Sequence, residues 1–370
     1  MNPQRIMVGV SGGVDSSVAA LLLQQQHFEV AGMFMKNWEE DDPTGPCPAA
    51  QDAADAEQVC QRIGIAFYAR NFAAEYWDGV FQHFIAEYQA GRTPNPDVLC
   101  NREIKFKTFI EHAADLDYAQ IATGHYARSD CIDGRYRLLR AVDDNKDQSY
   151  FLHAISQQAL ACTRFPIGHL RKPEVRQIAA AAGLTTATKK DSTGICFIGE
   201  RRFREFLGRY VETATGAIET PAGIVIGEHV GISFYTIGQR EGLGVGGRRD
   251  AGPQAWYVVG KDRARNVLIA VQGGEHPLLY SQRLTADGAT WVAGAAPASA
   301  FTCTAKTRYR QPDQNCTVQV HADAKLQVTF DRPQRAVTPG QSVVFYRDQE
   351  CLGGAVIQTT DAVYGGWVEE

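Results

Sequence analysis

The 370-residue sequence has no apolar run long enough to cross a bilayer, and "MNPQR" leads straight into a β-rich stretch. Neither the apolar core of a signal peptide nor the arginine-rich stretch of a transit peptide is present, so a cytoplasmic protein with no membrane partner is expected. The nine cysteines are odd in number and include no C-x-x-C pair. A zinc ribbon, a cysteine-ligated iron–sulfur cluster and a disulfide framework are therefore not suggested, and a reducing compartment fits. No fixed-period repeat and no low-complexity tail appear, and 44% hydrophobic with 21% charged residues is ordinary for a folded chain of two or three domains. Acidic residues are in excess overall, with a net charge of −5, but not everywhere: residues 101–210 hold 18 Lys/Arg against 13 Asp/Glu. Within that span "ERRFREFLGRY" (200–210) interleaves four arginines with three aromatics. It reads either as an amphipathic surface helix or as a phosphate-tracking surface for nucleic acid.

What is present begins with alternation. Apolar β-rich runs at Arg5–Val10, Glu29–Met35, Ile65–Asn71 and Tyr118–Thr123 are separated by helical patterns, the reading of an open parallel α/β sheet. In one helix, 73–91, Trp77, Val80, Phe81, Phe84, Ile85 and Tyr88 recur at three- and four-residue steps before Gly91. Past about residue 210 the chain turns to glycine-rich loops (227–249), and from about 280 to short alternating runs that suggest a small antiparallel barrel or sandwich.

At the first strand-to-helix junction stands "VGVSGGVDSSVAA" (8–20). Gly12 and Gly13 let backbone wrap closely, Ser11, Ser16 and Ser17 add hydroxyls, and the opening helix offers unpartnered N–H groups, which together make an anion site. The loop has no lysine, unlike G-x-x-x-x-G-K-[ST], so transfer of a γ-phosphoryl group is not its expected task. Two cysteines have unusual surroundings. Cys100 follows "TPNPD" at an apparent helix opening near Asp97, with Arg102, Lys105 and Lys107 close by; Cys196 follows Ser192, Thr193 and Gly194, with Lys189 and Lys190 upstream and the arginine cluster downstream. Both fields favour thiolate, whereas the other seven cysteines read as packing or surface residues.

"SGGVDSS" resembles the PP-loop of the ATP pyrophosphatases, enzymes that hold the β- and γ-phosphates while AMP passes to an acceptor oxygen. That resemblance implies ATP contacts from Gly9, Val10, Ser11, Gly12, Gly13, Val14, Asp15 and Ser16, Mg2+ held with the help of Asp15, and further nucleotide contacts at Met35 and Gly124. The fold expected from it, together with the change of texture past residue 210, is α/β: an N-terminal parallel-sheet PP-loop (adenine nucleotide alpha hydrolase-like) domain at 1–210, a small glycine-rich, mainly-β central domain at 211–278, and a C-terminal antiparallel β-barrel at 279–370.

"SGGVDSSVAA", "FMKNWEEDD", "NFAAEYWDGVF", "GRTPNPDVLCN", "ATGHYAR", "DNKDQSYFL", "KKDSTGICFIGER" and "TIGQREGLGVGG", in that order, resemble the bacterial tRNA-specific 2-thiouridylases. The resemblance implies ATP-dependent 2-thiolation of the wobble uridine of tRNA anticodons: O2 of the uracil is adenylated, and sulfur from a persulfide on Cys196 then replaces it as AMP leaves. Cys100 is implied as the partner thiol, releasing the sulfur or closing a disulfide with Cys196, and Asp97 as acid/base. Asn95, Pro96 and Asp97 are implied against a flipped uridine, and Lys146, Asp147, Gln148, Arg308 and Tyr309 against the rest of the tRNA. The implied sulfur donor is a cysteine desulfurase, acting directly or through a relay protein. Taken alone, the glycine loop also fits a ligase or amidotransferase acting on a small carbonyl, and the basic segment fits an RNA-binding module without turnover. Neither gives a reason for the two cysteine contexts.

Overall fold

In the computed structural model, residues 4–39, 48–191, 203–211, 213–245 and 252–366 are described. Strands β1 (Arg5–Gly9), β2 (Glu29–Lys36), β3 (Ala66–Asn71) and β4 (Gln120–Thr123) coincide with the four apolar runs. Connecting them are helices α1 (Val14–Gln25), α2 (Pro48–Ile63), α3 (73–89) and α4 (96–115). With a short later strand, Thr163–Arg164, they make a parallel sheet in which β1 lies between β2 and β4. The chain leaves β1 toward β3 on one side and returns to β4 on the other, so the order reverses beside β1, where open α/β sheets bind ligands.

Period-two alternation splits the strand residues between two cores. Met7 and Met33 face α3 and α4, whereas Ile6, Val8, Val10, Val30 and Phe34 face α1, α2 and α5 (Lys172–Ala181). Helix α3 buries Tyr76, Val80, Phe81, Phe84 and Tyr88 and ends at Gly91 (φ +78) as expected. Trp77, counted with the apolar face, is instead 40% exposed, because a π-helical turn over Trp77–Phe81 slips the register there.

The hairpin β5 (Ala127–Ile132) and β6 (Arg135–Arg140), turned by Asp133 and Gly134 at positive φ, follows β4. The central domain is a four-stranded sheet of β8 (Gly216–Glu219), β9 (Val225–His229), β10 (Trp256–Asp262) and β11 (Val267–Gln272), where β7 denotes the Thr163–Arg164 strand. The C-terminal domain runs through β12 (Tyr280–Trp291), β13 (Ala300–Lys306), β14 (Gln314–Val320), β15 (Leu326–Arg335), β16 (Ser342–Arg347) and β17 (Glu350–Thr360). Pairing of β12 with β17 closes it into a barrel. No helix among the described residues is long and apolar enough to cross a membrane.

The β5–β6 hairpin pairs with β17 (Cys351↔Leu138), so the N-terminal domain is stitched to the barrel through backbone. Arg140 fastens the seam: it is 8% exposed, lies over the Tyr346 ring at 3.7 Å, pairs with Asp313 at 2.7 Å and donates to Asp348 O. Arg140→Ala should cost about 2 kcal/mol, the scale of charged hydrogen bonds lost at a buried seam. Lys325→Ala, in an exposed pair with Asp323, should cost less than about 0.5 kcal/mol. Urea unfolding of both variants checks the contrast.

Candidate active site

The glycine loop folds as a strand–turn–helix. Gly12 takes φ +71, and a Cβ there would lie 2.4 Å from Asp52 O on α2, so only glycine fits. Ser16 Oγ accepts from Ser11 N at 3.1 Å and donates to Gly13 O, and Ser17 Oγ donates to Gly13 O at 2.8 Å. No side chain caps α1. Its first N–H groups therefore await an acceptor, which suits an anion. Val10 and Val14 are buried and anchor the two sides of the turn, while Gly9 passes beneath Met35 Cε and Phe109 of α4. Met35 lies at the carboxyl end of β2 against Gly9, and Gly124 directly follows β4. Gly124 presses directly on the loop, since a Cβ there would come within 2.5 Å of Ser16 N.

Helix α4 brings the second half. Asn95 caps it by accepting from Asp97 N at 3.2 Å, Pro96 occupies the first turn, and Asp97 is half-buried. Burial raises the Asp97 pKa, partly opposed by Lys105. Lys105 Nζ in turn lies 3.5 Å from Nε2 of His125, the residue after Gly124, and burial beside Lys105 holds His125 neutral. Helix α4 thus reaches the loop from Lys105 through His125 and Gly124, and Lys105 is also the cation that acts on Asp97.

Cys100 is 1% exposed within the apolar cluster of α3 and α4, and Arg102 and Lys107 both pair with Glu103. Lys107 reaches that carboxylate from one helical turn on, Arg102 from the adjacent position. Neighbouring Asn101 is also buried: Nδ2 donates to Phe151 O at 2.9 Å, and Oδ1 has no partner among the described residues. Cys196 lies outside the described residues.

Positions expected to touch tRNA are largely turned inward. Asp147 is 6% exposed and accepts from Ala141 N, Ser149 N and Ser149 Oγ, fixing its own turn. Gln148 exchanges hydrogen bonds with the Tyr126 backbone, and Lys146 pairs with Asp191 at 2.7 Å. Arg308 Nη2 donates to Ile237 O, Ala336 O and Thr338 Oγ1, joining the central domain to the barrel. Tyr309 packs on Phe151 with ring centroids 4.5 Å apart, on the same residue that holds Asn101.

Three family models cover the chain: "tRNA methyl transferase HUP domain" over residues 4–200, "tRNA methyl transferase PRC-barrel domain" over 204–272 and "Aminomethyltransferase beta-barrel domain" over 281–357. The tRNA-specific 2-thiouridylase MnmA of Pseudomonas paraeruginosa is 59% identical over 359 residues, spanning 97% of this chain and 96% of that protein. That of Xanthomonas campestris pv. campestris is 60% identical over 362 residues, 98% of this chain and 96% of its own length. The chain belongs to the tRNA-specific 2-thiouridylase family.

Against this 2-thiouridylase frame, two lysines stand out that the sequence reading did not place at the loop. Lys172 Nζ reaches both Asp15 oxygens at 2.8 Å and Asp191 at 2.8 Å. A lysine at the first position of α5 opposes that helix's own dipole, so the carboxylates Asp15 and Asp191 on its ammonium account for it rather than helix stability, while Asp143 accepts from its backbone N at 2.9 Å. Lys189, expected to bias Cys196, is instead tied to Gly12 O, Asp52 and Asp55. Asp15, expected at Mg2+, also accepts from Tyr126 OH at 2.8 Å. One carboxylate beside an anion-binding turn fits the usual Mg2+ arrangement, in which one or two protein carboxylates share the ion with substrate phosphates and water, and Asp15 would take that part once Lys172 moves away.

Burial alone would raise the Asp191 carboxyl, but hydrogen bonds from Lys146 and Lys172 hold it at about 2, below the unfolded value of about 3.9. The stabilisation is complete above about pH 4 and disappears as pH falls through 2. Asp191→Asn should therefore lower stability at pH 7 and flatten its acid dependence between about pH 4 and 2, measured by denaturant unfolding across that window.

Proposed function

We propose that this chain thiolates a wobble uridine of tRNA at C2, using ATP to turn the C2 oxygen into a leaving group and a cysteine persulfide as the sulfur source. The observation that carries this reading is that two halves meet at one turn: the glycine loop lies against Gly124, and the helix bearing Asp97 and Cys100 reaches His125 through Lys105.

In the first step O2 of the uracil attacks the α-phosphorus, the bond to pyrophosphate breaks, and AMP is left on O2. The uncapped start of α1 with Ser11, Gly12, Gly13 and Ser16 would hold the departing phosphates, and Lys172 would shift from Asp15 toward them. Asp97, with its raised pKa, moves the proton that the ring N3–H must lose and regain as electron density shifts at C2. In the second step the outer sulfur of a Cys196 persulfide bonds to C2 and AMP departs. Cys100 then attacks Cys196 Sγ, the persulfide S–S bond breaks, and the outer sulfur stays on the ring while a Cys100–Cys196 disulfide forms. An external thiol returns both cysteines to the reduced state. Reaching C2 requires the base to leave its stack, so Asn95, Pro96 and Asp97 at the start of α4 are its proposed seat.

Purified chain, ATP, a persulfide donor and unmodified tRNA should yield 2-thiouridine with AMP and pyrophosphate, scored by nucleoside mass spectrometry. Cys196→Ser should abolish thiolation yet still release pyrophosphate when tRNA is present, and Asp97→Asn should lower the thiolation rate by about 100-fold or more. Normal thiolation by Cys196→Ser overturns the role given to that thiol. Gly124→Ala, whose methyl meets backbone, should weaken ATP binding by about tenfold, the scale of a modest overpacking cost, measured by equilibrium dialysis.

A further inference from the structure

We infer that residues 88–94 are a strut through which the central domain and the barrel set the position of Asp97, with Lys261 and Gln341 as its positioning residues; the inference rests on the thiolation reading above.

At its end, where Gly91 N still reaches Tyr88 O, helix α3 presents carbonyls to which the central domain adds donors. Ser233 Oγ donates to Tyr88 O at 3.1 Å, Arg263 Nη2 to Gln89 O at 2.7 Å and Lys261 Nζ to Gly91 O at 3.1 Å. The negative end of the helix explains why an ammonium is tolerated away from water there. Burial, reinforced by Arg263, lowers the Lys261 pKa to about 8. Gly91 is held doubly, by its positive φ and because a Cβ would lie 2.7 Å from Arg263 Cδ.

The barrel grips the next residues. Thr93 N donates to Pro339 O at 3.1 Å, and Gln341 Nε2 donates to Thr93 O at 2.7 Å and to Pro94 O at 3.2 Å. Gly340, at φ +90, approaches so closely that a Cβ would lie 2.9 Å from Thr93 N. Beyond this grip the chain has little freedom. Pro94 and Pro96 are φ-locked, Asn95 between them is extended, and its side chain is bonded to Asp97 N. A displacement at Thr93 therefore reaches Asp97 almost undiminished, and a displacement of the order of 1 Å at a reacting group is enough to cost large factors in rate. An RNA seated on the two downstream domains is in this way held in register with the carboxylate that acts on its base.

The test compares Lys261→Met, Lys261→Arg and Gln341→Leu with the unaltered chain in steady-state thiolation, thermal unfolding and hydrogen exchange. Lys261→Met and Gln341→Leu should each lower kcat by about tenfold or more. For Lys261→Met the KM for tRNA should stay within about twofold and Lys261→Arg should recover most of the rate, since both side chains can donate to Gly91 O. Amides of residues 92–99 should exchange faster in both damaging variants, with those of β1 and β4 unchanged. Unchanged kcat in both, or a loss confined to KM or to overall stability, overturns the inference. Should one variant fail to fold, the other reports from the opposite domain. If the unaltered chain makes no 2-thiouridine, the thiolation reading fails, whereas the exchange pattern still decides whether the strut exists.

Discussion

The contact between the Gly124 backbone and the first turn of α1 is the reference for the rest of the site. Backbone meets backbone there with no side chain between, so neither element can move without the other. The turn that carries Gly124 also carries His125, which meets Lys105 of α4, and Tyr126, which donates to Asp15. One tight turn at the carboxyl end of β4 thus fixes an anion-binding loop, the helix that bears the half-buried Asp97 and the carboxylate of the loop itself. The reversal of strand order beside β1 places this turn at the point where open α/β sheets leave a crevice at the strands' carboxyl ends.

Buried charge is organised around the same point. Asp15, Asp143 and Asp191 gather round Lys172, while Lys189 bridges Asp52 and Asp55 to Gly12 O. Each lysine would be costly to bury alone, and each is held by carboxylates on elements distant in sequence. The network ties three segments together: the loop, the start of α5, and residues 189–191, which lead toward Cys196.

How much of this was legible depended on range. The glycine loop, the four parallel strands, the end of α3 at Gly91 and the start of α4 near Asp97 are local signals, written in a few consecutive residues, and each appears where the sequence put it. The lysine missing from the loop was a sound reading of eight residues and an incomplete reading of the site, because Lys172 arrives from 157 positions away. Around Cys100 the neighbouring cations were visible, but pairing of Glu103 with two of them required the helix. The β5–β6 hairpin carried its own Asp-Gly turn signal, yet nothing local tells that its partner is β17 of the barrel.

The inward turn of Asp147, Gln148 and Arg308 follows from the same logic. A residue can serve an RNA surface by touching it or by shaping the backbone that does, and sequence motifs do not separate the two. Asp147 uses its carboxylate on three donors of its own turn, leaving Lys146 and the nearby backbone presented in one geometry. Arg308 binds Ile237 O with one nitrogen and Ala336 O with the same one, so the central domain and barrel cannot slide apart without stranding a buried guanidinium. Nucleobase modification demands that a flexible substrate be brought to within bonding distance of a fixed carboxylate. Domains rigidly referenced to one another serve such a demand, and here the referencing runs through half-buried side chains, Arg308, Lys261 and Gln341, that bond to backbone carbonyls across domains.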